Sequence, residues 1–214
     1  MRNFGSDRPM EQPDYSLESA AQQRGYVRIA GVDEVGRGPL AGPVTAAAVI
    51  LDPQNIPKGL NDSKKLSAKK REAVEQAIFD NAEVAIAHAS VDEIDEINIL
   101  RASHLAMERA VAMLDPPPDY LLIDGNLIPR GLTLPSEAVI KGDGKSVSIA
   151  AASIVAKLCR DRLMVDLAQQ CPGYGWEKNA GYPSKQHKDA LQVLGVTQHH
   201  RRSFKPIHKM LYQD

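Results

Sequence analysis

What most constrains this chain is a series of short apolar runs of strand character, several of them stopped by a carboxylate beside a glycine. The first, Val27 to Asp33, alternates and is broken by Gly36-Arg37-Gly38-Pro39. Pro43 to Leu51 and Ala82 to Ala89 follow, then Tyr120 to Asp124 before Gly125-Asn126, and Ala138 to Ile140 before Gly142-Asp143-Gly144. Helical patterns separate them: Ser67 to Phe79, roughly Asp95 to Leu114, and about Ser146 to Gln169. In the second, Leu100, Met107, Val111 and Leu114 share a face and Asp115-Pro116-Pro117-Pro118 ends the run; in the third, Ile149, Ala152, Ala156, Cys159 and Leu163 face inward. Three strands, then strands alternating with helices, predict a mixed α/β domain in which helices pack on one sheet. A Gly-, Pro- and His-rich C-terminal quarter carries shorter helices.

A chain of 214 residues with 43% apolar residues is enough for one domain with a sizeable core. Residues 1–24 are polar and read as a loose arm ahead of a short helical turn, and residues 25–214 as the compact domain. No apolar run approaches a membrane span and the N-terminus has no apolar signal core, which predicts a cytoplasmic protein. Cys159 and Cys171 fit no metal or redox spacing and read as reduced structural residues.

The balance of 26 basic against 27 acidic residues argues at first against a nucleic-acid binder, but the charges are segregated. Lys58 to Arg71 holds six basic residues and one acid, Asp62; Asp80 to Ile99 holds six acids and no Lys or Arg. Lys185 to Lys209 again holds six basic residues against one acid, Asp189, with four histidines among them. Opposed blocks of this kind permit a basic groove for a polyanion, although each block alone also suits an ordinary solvated face.

The chemistry rests on acids. Asp33-Glu34, Asp124 and Asp143 each stand at or just past a predicted strand end, beside glycine. Singly, such acids are turn residues or caps. On strands of one sheet they can converge, and carboxylates that close cannot all stay ionised without a counter-charge. Hard oxygen donors suit Mg²⁺ or Mn²⁺ rather than zinc, and two such ions can activate a water and stabilise the leaving oxygen of a phosphodiester. Nucleophilic alternatives are weaker: there is no Gly-x-Ser-x-Gly elbow, and neither cysteine has an activating partner. Gly142-Asp143-Gly144-Lys145-Ser146 ends like a phosphate loop but has Ile140 nearest the place of the first glycine.

Longer stretches resemble the bacterial ribonuclease HII family. They are Gly31-Val32-Asp33-Glu34-Val35-Gly36-Arg37-Gly38-Pro39-Leu40-Ala41-Gly42-Pro43-Val44, Gly59-Leu60-Asn61-Asp62-Ser63-Lys64-Lys65-Leu66, Leu122-Ile123-Asp124-Gly125-Asn126, Lys141-Gly142-Asp143, Ile149 to Lys157, Gly181-Tyr182-Pro183 and His199 to Phe204. The resemblance covers about residues 27 to 210 in order. It implies a ribonuclease H-like mixed sheet flanked by helices, with a helical C-terminal portion. It also implies a metal-dependent endoribonuclease that hydrolyses the RNA strand of RNA/DNA hybrids and cuts 5′ to ribonucleotides embedded in duplex DNA, leaving 3′-hydroxyl and 5′-phosphate ends. Asp33, Glu34, Asp124 and Asp143 are its implied catalytic and metal-binding set, with two Mg²⁺ or Mn²⁺ ions during catalysis.

The same resemblance assigns Gly36, Arg37 and Gly38 to reading the junction between a ribonucleotide and the next deoxynucleotide, and Tyr182 to stacking on the deoxyribose beside the cut. Physically, glycines allow close backbone approach, and main-chain groups can bond the 2′-hydroxyl that separates RNA from DNA. Lys64 is a further substrate contact, and Lys65, Arg201 and Arg202 are candidates for phosphates. Asp161 reads as structural, and His199 and His200 as packing or capping residues rather than ligands. The implied partners are nucleic acid alone, with no membrane and no obligate protein partner, and the implied state is a monomer. Three rivals stand beside this reading. The sister ribonuclease HIII type carries Gly-Lys-Gly and an N-terminal domain for which the arm is too short. A silent hybrid-binding protein would have lost an acid, and a Mg²⁺-dependent phosphatase would lack the basic segments.

Overall fold

The computed structural model describes residues 12–212. Five strands form one sheet: β1 (Ile29–Val35), β2 (Val44–Leu51), β3 (Ala82–Ala89), β4 (Tyr120–Asp124) and β5 (Ser136–Val139), in the order β3-β2-β1-β4-β5. β1, β2 and β3 are antiparallel neighbours, whereas β4 lies parallel to β1 and β5 parallel to β4. After β3 at the sheet edge, α3 (Val91–Ala112) carries the chain back across the sheet to β4 on the far side of β1.

The sheet is covered on both faces, which is why β2 is buried at all eight of its residues. Ala46, Ala48, Ala85, Ala87, Leu121 and Ile123 meet Ala102, Ala106 and Met107 of α3 on one face. On the other, Ala47, Val49 and Leu51 meet α2 (Ala68–Asn81) and α4 (Val147–Gln170). The small side chains of Ala46-Ala47-Ala48 leave room for both helix layers. At Gly31 on β1 a methyl group would stand 2.1 Å from the Ser148 carbonyl carbon of α4, so only glycine lets this helix lie on this strand. The C-terminal portion, with α5 (Trp176–Asn179), α6 (Lys185–Leu194) and α7 (Lys205–Tyr212), packs around Leu40, Ala41, Met164, Tyr174, Trp176 and Ile207.

Three details depart from the sequence expectations. α3 begins at Val91 rather than near Asp95, because Ser90 and Glu93 form a reciprocal capping box; it is then broken at Asn98, with φ 67° and ψ 163°. β1 runs on to Val35, so Asp33 and Glu34 lie inside a strand. Over the second half of the polar arm the chain is helix α1 (Ser16–Gln23), while residues 1–11 lie outside the described residues. Glu18 of α1 is 1% exposed, and its carboxylate accepts from the Ser148 amide at 3.0 Å and from the hydroxyls of Ser146 and Ser148 at the start of α4. A carboxylate there also complements the helix dipole. No helix among the described residues is long and apolar enough to cross a membrane, and both cysteines are free thiols.

Candidate active site

β1 and β4 run side by side in parallel with Val32 opposite Ile123, so the next pair along is Asp33 and Asp124. Strand alternation turns both toward the α1/α4 face, with Ile29 and Leu122, and turns Glu34 toward α3 with Ala30 and Val32. Asp124 in turn lies opposite Val139, the last residue of β5. Beyond it the chain turns through Lys141, in the left-handed region at φ 56°, into a single 3-10 turn over Gly142–Gly144. That turn returns Asp143 to the strand ends, and the Gly142 amide donates to Asp124 Oδ1 at 2.7 Å. A side chain at Gly142 would meet the Ile149 side-chain tip at 2.6 Å, so Ile149 would have to shift to admit one.

The closeness of these acids sets their electrostatics. Burial, and then the charges of Glu34, Asp124 and Asp143, push the Asp33 carboxyl well above the usual carboxylate range. Asp33 is 6% exposed, and its Oδ1 accepts the Glu34 amide at 2.7 Å. Burial pushes Glu34 up to about 7, opposed by the Arg37 guanidinium 3.4 Å away. Asp143 is raised by burial and by Asp62 and Asp124, with Lys64 opposing. The structure thus brings Asp33 within electrostatic reach of Glu34, Asp124 and Asp143, and sets Arg37 beside Glu34 and Lys64 beside Asp143.

An oxygen-only donor set that raises its own pKa values fits a hard divalent cation, which relieves the repulsion by replacing protons. Among the described residues no three of His, Cys, Asp or Glu stand as a ready-made ligand set, so an ion would draw the carboxylates together. Two residues here were not anticipated. Asp62 reaches Asp143 from the turn after Asn61, although the sequence presents it only as the lone acid in a basic block. His104 of α3 helps wall a cleft with Glu34, Arg37, Asp124 and Asn126, and burial lowers its pKa.

The remaining expected contacts divide. Arg37, Gly38, Lys64, Lys65, Tyr182 and Arg202 are exposed, and Gly36 is buried. Tyr182 lies over the Gly36-Arg37-Gly38 loop: a methyl group on Gly38 would be 3.3 Å from its ring. Arg201 is corrected. It is fully buried, and its guanidinium donates to main-chain carbonyls, leaving it no reach to a phosphate. Asp161 pairs with Lys157 one turn away in α4, as a structural acid should. His200 is buried in an aromatic box with Tyr174, Trp176 and His187, which matches a packing role.

A mixed sheet ordered β3-β2-β1-β4-β5, carrying an acidic cluster on its adjacent parallel strands, defines a protein of the ribonuclease H fold. Known proteins narrow this further: residues 30–210 match the ribonuclease HII family. Ribonuclease HII of Ruegeria sp. (strain TM1040) is 75% identical over 205 residues, which cover 96% of this chain and 90% of that protein. The crystal structure of ribonuclease H2 from Pyrococcus horikoshii OT3 aligns with a TM-score of 0.73 at 28% identity, over 86% of this chain and 97% of that one. The ribonuclease HII in the PCNA:RNase HII complex from Archaeoglobus fulgidus aligns with a TM-score of 0.71 at 27% identity, over 84% and 96%. The chain belongs to the ribonuclease HII family, and it is a nuclease with ribonuclease H activity.

Proposed function

We propose that this enzyme cuts 5′ to ribonucleotides embedded in duplex DNA, and within the RNA strand of RNA/DNA hybrids, leaving 3′-hydroxyl and 5′-phosphate ends. Residues 25–214 act as the catalytic domain, and the cytoplasm, where bacterial DNA lies, is its place of work. The observation that carries the reading is the burial of Asp33 among Glu34, Asp124 and Asp143. Asp33, Glu34, Asp124 and Asp143 would hold Mg²⁺ or Mn²⁺, two ions during catalysis. When bound, such ions activate a water and stabilise the leaving 3′-oxygen.

The protein's own groups bind and orient. Arg37, 3.4 Å from Glu34, would hold a phosphate by a forked contact while offsetting the acids. Lys64, on the Asp143 side, adds a second cation there. The main chain of Gly36-Arg37-Gly38 reads the 2′-hydroxyl, and Tyr182 over Gly38 covers the neighbouring deoxyribose. The substrate is nucleic acid, and the enzyme acts as a monomer that needs no obligate protein partner; the PCNA complex is that of the Archaeoglobus fulgidus relative.

The test uses a labelled DNA duplex containing one ribonucleotide, with Mg²⁺, Mn²⁺ or chelator. Metal-dependent cutting 5′ to the ribonucleotide, abolished in a folded Asp124→Asn variant, is expected. Salt-sensitive binding without cutting would mean a hybrid-binding module, and normal turnover by Asp124→Asn would remove the carboxylates from the mechanism.

A further inference from the structure

Two arginines outside the acidic cluster have no surface role: Arg160 of α4 is 1% exposed and Arg201 is 0% exposed. Neither pairs with a carboxylate among the described residues. Their pKa values fall to about 10 and about 9, chiefly through burial, so both remain cations at neutral pH. Every hydrogen bond their guanidinium groups make goes to a main-chain carbonyl. Arg201 donates to Gly36 at 2.6 Å, Arg37 at 3.0 Å, Gly42 at 2.9 Å and Pro43 at 3.2 Å. Arg160 donates to Pro43 at 2.9 Å, Ala41 at 3.1 Å and Ala180 at 2.9 Å. Together they tie the loop from Gly36 to Pro43 to the turn that carries Tyr182. The main chain closes the same joint, with the Leu40 amide on the Gly181 carbonyl at 2.8 Å and the Arg201 amide on the Leu40 carbonyl at 2.8 Å.

Peptide planarity gives this arrangement a consequence. In a trans peptide the carbonyl and the following N–H point in opposite directions. Because the Gly36 and Arg37 carbonyls turn inward to Arg201, the amides of Arg37 and Gly38 turn away from it, toward the exposed side of the loop. Neither amide donates to any acceptor among the described residues. Two successive outward N–H groups form a concavity for an electron-rich oxygen. Gly36 adopts φ +97°, and a side chain there would strike Arg160 at 2.3 Å, so glycine, loop and guanidinium form one fitted unit.

We propose that Arg201 and Arg160 are positioning residues for ribose recognition, which hold the carbonyls of the Gly36–Pro43 loop inward so that the Arg37 and Gly38 amides face the substrate beside Tyr182. The proposal rests on the reading that this loop recognises the 2′-hydroxyl. A guanidinium suits the task because its planar fork fixes several carbonyls in one geometry, which an ammonium cannot do. The two cations also leave the loop's outward amides in a positive field, and phosphate or hydroxyl oxygens gain from that field.

The test compares wild type with Arg201→Lys and Arg160→Lys on duplexes that differ by a single 2′-hydroxyl. For the folded variants kcat/KM on the ribonucleotide duplex should fall about a hundred-fold, the scale expected when a reacting group is displaced by about 1 Å. Affinity for the all-DNA duplex, measured without divalent metal, should stay within about two-fold, since the surface cations that contact phosphate are intact. An unchanged kcat/KM, or a parallel loss of all-DNA binding, overturns the proposal. Hydrogen exchange on the unaltered enzyme decides the case if the variants do not fold. The Arg37 and Gly38 amides should exchange freely in the enzyme alone and be protected by the ribonucleotide duplex but not by its all-DNA twin; amides already protected in the enzyme alone overturn the proposal, because they then do not face the substrate. A wild type that does not distinguish the two duplexes refutes the underlying reading instead.

Discussion

Lowering the pH should destabilise this enzyme through one buried pair, His187 and His200. Both rings are 0% exposed, and their hydrogen bonds fix the tautomers. The Thr197 amide donates to His200 Nδ1 at 3.0 Å, so that nitrogen carries no proton and Nε2 carries the hydrogen. His200 Nε2 lies 3.1 Å from His187 Nε2, which also accepts the Trp176 indole N–H at 3.1 Å. His187 therefore keeps its hydrogen on Nδ1 and donates it to the Tyr182 carbonyl at 2.9 Å. A second proton on His187 Nε2 would face two donors, and one on His200 Nδ1 would break the bond from the Thr197 amide and have only the Thr197 hydroxyl, 2.9 Å away, to meet. Burial, and then His187, depress His200 from 6.5 to about 4. Because the unfolded chain binds this proton and the folded one does not, the contribution to stability is complete above about pH 7. It is lost as the pH falls from about 6.5 to about 4. At about 1.4 kcal/mol per pH unit the full loss is about 3 kcal/mol, of which about 2 kcal/mol has gone by pH ~5. Urea unfolding of wild type and His200→Asn at about pH 7.5 and about pH 5 isolates the effect. The variant should be less stable at the higher pH but should lose about 2 kcal/mol less on acidification. An equal loss in both proteins would refute the assignment of a neutral, proton-excluding pair.

Two further outcomes follow from close contacts. Gly31→Ala would place a methyl group 2.1 Å from the Ser148 carbonyl carbon, and since both atoms sit on backbone neither can yield, so a loss of more than about 4 kcal/mol or no folded protein is expected by circular dichroism. Glu18→Ala would strip the buried hydroxyls of Ser146 and Ser148 and the Ser148 amide of their acceptor, at a cost of about 2–4 kcal/mol in thermal or chemical unfolding. An effect below about 0.5 kcal/mol in that second case would show that α1 contributes little to the fold.

The elements bounded by strong local signals were the legible ones. Ala82–Ala89 and Tyr120–Asp124 coincide with the expected strands, because alternation or an apolar run ends abruptly at Ser90, at Gly125 or after the prolines. The start of α3 was missed because Val91 to Ile97 is acid-rich with weak periodicity, although the capping signature Ser90-x-x-Glu93 was there to find. The four acids were legible because strand ends gather whatever they carry. Asp62, His104, Arg160 and the burial of Arg201 were not, since a buried arginine and a solvated one look alike in sequence; only the carbonyls folded around it decide.

That distinction changes how the basic segments work. Of the six basic residues between Lys58 and Arg71, Arg71 donates to the Ser63 and Leu66 carbonyls and so shapes the turn that presents Lys64. Near the C-terminus Arg201 is consumed by the carbonyls of the Gly36–Pro43 loop. Part of each basic block is therefore structural, and the cations left facing solvent are fewer than the sequence suggests. Lys64 of the first block stands near Asp143 and Arg37, outside both blocks, near Glu34, where a phosphate needs a partner and a carboxylate cluster needs relief. A near-neutral chain can in this way grip a polyanion at one place without a basic surface everywhere. Its affinity should then depend on few phosphate contacts and fall only modestly with salt, and a steep loss of duplex binding as salt is raised would refute that count.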